Sequence, residues 1–64
     1  MMNMYVVTLV TLENNVQRMK SGIVYANSAE EAIGRAVTVQ EWPVLMKSAI
    51  LCDDERGLKF HRLD

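Results

Sequence analysis

The chain has 64 residues, a formal net charge of −1 and half of its residues apolar. One domain is all this length accommodates, and it buries only about 60% of the surface of the unfolded chain. One cysteine excludes an internal disulfide. One cysteine with one histidine falls short of the four or so Cys/His-type ligands of a structural zinc site. A secreted disulfide-stapled scaffold is therefore excluded and a cytoplasmic location expected. Of the usual supports for a small core, association with another chain remains. Seven basic residues against eight acidic ones give no electrostatic attraction to a polyanion. No apolar run reaches the roughly 20 residues of a membrane span. Met1-Met2-Asn3-Met4 lacks the basic residues of a signal peptide.

The segment Met4-Tyr-Val-Val-Thr-Leu-Val-Thr-Leu12 is dense in β-branched residues and predicts a strand. From Arg18 to Ala26 apolar Met19, Ile23 and Tyr25 alternate with Arg18, Lys20 and Gly22, the period of a second strand. Asn14-Asn15 between them suits the φ > 0 positions of a two-residue hairpin turn. That turn sets Glu13 opposite Val16, Val10 opposite Met19, Val6 opposite Ile23 and Met4 opposite Tyr25. A slip by one residue sends one apolar set to the other face, so turn and pattern demand the same register. The hairpin is predicted over residues 4–26.

Ser28-Ala-Glu-Glu31 has capping-box spacing, with Glu30 and Glu31 at the favourable end of a helix dipole. Ala29, Ala32, Ile33, Ala36 and Val37 follow at amphipathic spacing. Pro43 disfavours helical geometry at Trp42, so the helix is predicted over about 28–41. The strand-to-helix stretch Val24-Tyr-Ala-Asn-Ser-Ala-Glu-Glu-Ala32 resembles a junction common in small bacterial and bacteriophage proteins, and capping alone explains it. Val44 to Cys52 reads as a third strand, Asp53 to Gly57 as an acidic solvated turn, and 58–63 as a short fourth strand or a docked tail.

The expected fold is a single α+β domain, ββαβ(β), with the helix on one sheet face and strand order 2-1-3. The Met4, Val6, Val10, Met19, Ile23 and Tyr25 face is expected to meet the helix. Tyr5, Val7, Leu9 and Val24, with Arg18 and Lys20 at the far end, then form an open apolar interaction surface. Alternatively, Leu58 and Phe60 fold back over that face.

The predicted function is a non-enzymatic interaction module that self-associates through a sheet face or edge, as a homodimer or on a larger protein partner. It is a regulatory or accessory protein without cofactor, metal or membrane attachment. The alternative is single-stranded nucleic acid held by Tyr5, Arg18 and Lys20. His61, near the chain end, and Cys52, beside Asp53-Asp54, read as surface residue and core filler. Trp42 reads as a cover for the end of the core. Gly22, Gly34 and Gly57 are isolated and form no phosphate loop.

Overall fold

In a computed structural model the described residues are 2–52 and 61–63. Strands β1 (Asn3–Glu13) and β2 (Val16–Ala26) precede helix α1 (Ala29–Thr38) and strand β3 (Val44–Leu51). The sheet order is β2-β1-β3, with β1 antiparallel to both neighbours. β3 thus runs parallel to β2, and α1 makes the crossover between them. This is the small α+β architecture the sequence predicts.

The hairpin register is the one the turn demands: Glu13 faces Val16, Val10 faces Met19, Val6 faces Ile23 and Met4 faces Tyr25. Asn14 and Asn15 have φ of 54° and 65°, the left-handed pair that a tight turn between right-twisted strands requires.

At the helix start the Glu31 N–H donates to the Ser28 hydroxyl at 3.1 Å. The Glu31 carboxylate accepts the N–H of Asn27, one residue before the cap, and holds Arg35 at 3.0 Å. The helix stops at Thr38, short of the predicted Gln40–Glu41 end. Val39 is half exposed at φ −90°, ψ 1°, so no burial holds this β-branched residue in the helix. The chain turns there: the Gln40 N–H donates to Val37 O, and the Gln40 side chain donates to Ala36 O. It then rejoins the sheet where the Leu12 N–H donates to Pro43 O at 2.9 Å. Trp42 does not close the core; it keeps 37% of its surface exposed.

The helix lies on the sheet face opposite to the expected one. Tyr5, Val7, Leu9, Val24 and Ala26 form the core with Ala32 and Ala36, and Ala29, Val37, Val44, Ala49 and Leu63 pack around them. Val7, Leu9 and Val24 have no exposed surface and Tyr5 has 8%. The physical reason lies in side-chain size. On β2 the helix-facing positions are Gly22, Val24 and Ala26, which let an alanine stripe approach closely. The opposite positions are the bulkier Met19, Ile23 and Tyr25.

Of the C-terminal tail, residues 58–60 lie outside the described residues, as does the acidic segment 53–57. Residues 61–63 run along the outer edge of β2 and parallel to it. The Ile23 N–H donates to His61 O and the Leu63 N–H to Ile23 O, both at 2.9 Å. Leu63 turns to the helix side and reaches the core. A Cβ on Gly22 would stand 2.7 Å from His61 O and 3.0 Å from the Leu63 Cβ, so the close passage of the tail requires glycine there.

Candidate interaction surface

Strand alternation places Met4, Val6, Thr8, Val10 and Leu12 of β1 on the face turned away from α1. From β2 come Gln17, Met19, Ser21, Ile23 and Tyr25, and from β3 Met46, Ser48 and Ile50. The registers align these into rows across the sheet. Met19, Val10 and Met46 form one; Ser21, Thr8 and Ser48 the next; Ile23, Val6 and Ile50 the third. Thr8 and Ser21 hydroxyls are hydrogen-bonded at 3.2 Å, so the polar row is internally linked.

No strand residue on this face carries a charge. Met19 is 76% exposed, Met46 69% and Ile50 70%, and Val6 and Val10 are half-buried between them. A shallow cavity of about 210 Å³ opens among Thr8, Val10, Met19, Met46, Lys47 and Ser48. The β2 corner is shielded: Ile23 is 5% exposed, and the Arg62 guanidinium lies 5.5 Å from the Tyr25 ring centroid.

The surface expected at Tyr5, Val7, Leu9 and Val24 is therefore not available, because α1 covers it. Arg18 and Lys20 do lie on that side of the sheet, beyond the helix end. The Lys20 ammonium is committed, at 2.9 Å to the Glu13 carboxylate and 3.4 Å to the Gln40 side-chain oxygen. Tyr5 is buried and offers no stacking platform beside Arg18 and Lys20, so the Tyr5-based arrangement of the nucleic-acid alternative is not formed. Thr11, fully buried, donates to Glu13 Oε2 at 2.7 Å. The hydrogen bonds from Lys20 and Thr11 hold the Glu13 carboxyl below the ordinary glutamate range.

The outer edge of β3 is the second open feature. Among the described residues no chain pairs with it, whereas the outer edge of β2 is occupied by 61–63. Beside β3 on the helix side, Glu30, Ile33, Gly34, Val37, Thr38 and Lys47 line a groove of about 470 Å³. No group of three metal-ligating side chains occurs among the described residues. Nor, among them, is any helix long and apolar enough to cross a membrane. Comparison with known proteins finds no family model, no curated protein and no solved structure that matches the chain.

The rows on the open face were legible as pairs in the sequence, since Val10–Met19 and Val6–Ile23 follow from the hairpin. Met46 and Ile50 were missed as members of the face. The β3 register that brings them there depends on an irregularity between Val10 and Thr11, which no local pattern announces.

Proposed function

We propose that this protein is a small non-enzymatic interaction module that self-associates, with the open sheet face and the β3 edge as its contact surfaces. The observation that carries the reading is the uncharged face on which Met19, Met46 and Ile50 are each more than two-thirds exposed. Solvated faces of antiparallel sheets ordinarily alternate to polar residues, and contiguous apolar surface marks a place of contact. Methionine suits such a face because its flexible thioether adapts to the partner surface. Covering three such side chains removes enough apolar area to contribute several kcal/mol. That is comparable with the stability of a whole domain this small.

A self-partner fits because the open face runs to the β3 edge, with which no chain pairs among the described residues. Met46 and Ile50 of this face stand on β3, so a second copy seated at the β3 edge also extends the apolar face. The lone thiol, Cys52, half-buried and not in a disulfide, fits a reducing interior such as the cytoplasm. A regulatory or accessory role on a larger assembly accords with so small a chain.

Sedimentation equilibrium across the micromolar range tests the reading. The expected result is a dimer that weakens at least tenfold when Ile50 is replaced by Lys, with the circular dichroism spectrum unchanged. A chain that remains a folded monomer up to about 100 µM overturns it.

A further inference from the structure

We infer that the free edge of β3 is the seam of a homodimer, in which two copies pair β3 with β3 antiparallel about an axis at Ser48 and form one six-stranded sheet. The inference rests on the self-association proposed above and assigns its geometry.

The first argument is which backbone groups are free. The Cys52 N–H donates to Met4 O at 2.8 Å, so Cys52 directs its backbone groups toward β1. Bonded and unbonded pairs alternate along an antiparallel ladder. Ile50, Ser48 and Met46, opposite Val6, Thr8 and Val10, therefore also turn toward β1. The N–H and C=O groups of Lys47, Ala49 and Leu51 turn outward. The same alternation on β2 sends the groups of Ile23 outward, where His61 and Leu63 take them. Among the described residues, one edge of this sheet is thus occupied and the other presents a row of donors and acceptors that no strand takes up.

The second argument is that β3 carries few of the devices that blunt an edge, its one irregularity lying at its start beside Leu45. It has no proline, and Lys47 is its one charge. Leu45, Met46, Ile50 and Leu51 are exposed at 48%, 69%, 70% and 55%.

The third argument is register. A two-fold axis normal to the sheet keeps open face with open face, which admits only registers pairing even with even and odd with odd residue numbers. Centring on Lys47 opposes two ammonium groups, which is destabilising. Centring on Met46 or Ala49 shortens the overlap. Centring on Ser48 sets Lys47 against Ala49 and Met46 against Ile50 of the second copy, with Leu45 near Leu51. Lys47 and Ala49 then exchange their outward N–H and C=O groups, and Ser48 meets its counterpart in the unbonded pair on the axis. The two open faces merge, and on the helix side the groove at Ile33, Val37 and Lys47 gains a wall from the second copy's β3.

Two substitutions in a Cys52→Ser background read the geometry. Opposed unbonded residues stand with Cα atoms about 4.5 Å apart, within disulfide reach. Ser48→Cys is therefore expected to cross-link to a dimer on mild oxidation. Lys47→Cys, roughly 8 Å from its counterpart on the diagonal, is expected to stay uncrosslinked. Face-to-face packing holds the two Ser48 positions about 10 Å apart and gives no cross-link either. As a backbone probe, Ala49→Pro removes an outward N–H and no bond of the ladder to β1. N-methylation of Ala49 in a synthetic chain does the same with less constraint on φ. Either is expected to raise the dimer dissociation constant at least tenfold with the circular dichroism spectrum retained. A dimer that survives both Ala49 changes and fails to cross-link through Ser48→Cys overturns the β3 seam and leaves self-association standing. A chain that is monomeric throughout overturns both.

Discussion

Among the described residues, Glu13 is the one whose ionisation folding clearly shifts. It stands at the last position of β1, accepts the Thr11 hydroxyl at 2.7 Å and pairs with Lys20 at 2.9 Å across the hairpin. Both contacts favour the charged form, and the carboxyl titrates below its ordinary value in the folded chain. A depressed carboxyl pKa adds stability that is fully present above the unfolded value and is lost as pH falls through the folded value. Urea unfolding midpoints are therefore expected to fall on acidification below the ordinary glutamate range. Glu13→Gln is expected to flatten that dependence while leaving other carboxylates to contribute theirs. An unchanged acid slope in the variant contradicts the assignment. Lys20 answers to the same contact. Read in sequence, it belongs to a basic pair with Arg18. In the fold, cross-strand geometry commits it to Glu13 and Gln40 instead. Only the three-dimensional end of the hairpin, where α1 stops and Gln40 arrives, makes that partnership.

At the scale of elements, the hairpin and the helix start were readable because their determinants are local. Two asparagines adopt φ > 0 and fix the register, and one serine hydroxyl caps one amide. The helix end was not readable to the residue, because Pro43 bounds the helix without specifying where it stops. Exposure of Val39 and the Leu12–Pro43 hydrogen bond set the exit. The middle of the helix is under-optimised. Gly34 is exposed, and a Cβ built there meets nothing within 4 Å. Glycine in a helix interior costs about 1 kcal/mol relative to alanine, partly through the freedom of the unfolded chain. Gly34→Ala is expected to stabilise the fold by about 0.5–1 kcal/mol, seen as a raised urea midpoint with an unchanged slope. A lowered midpoint would contradict the open surroundings of this position.

At the scale of the whole molecule, the decisive event is the choice of sheet face by the helix. β1 is apolar on both sides, with Val6-Val7 and Leu9-Val10 each offering one residue to either face, so its own pattern is neutral. The choice is made by β2, where glycine, valine and alanine lie under the helix and methionine, isoleucine and tyrosine lie opposite. Weighing side-chain size on β2, rather than apolar count on β1, is the signal in the sequence that points to the right face. The consequence is a core of modest volume built from Val7, Leu9, Val24 and two alanines of α1. Met19, Met46 and Ile50 are left on the outside. The two faces should therefore respond oppositely to truncation. Leu9→Ala opens a cavity in a core with few residues to relax into it and is expected to cost about 2–5 kcal/mol, enough to unfold much of the population. Met19→Ala removes a side chain that is 76% exposed and is expected to change monomer stability by less than about 0.5 kcal/mol. Denaturant unfolding of both variants, at a concentration low enough to hold the chain monomeric, separates the faces directly. If Met19→Ala proved as costly as Leu9→Ala under those conditions, the open face would be part of the folding core, and the reading of it as a contact surface would fail.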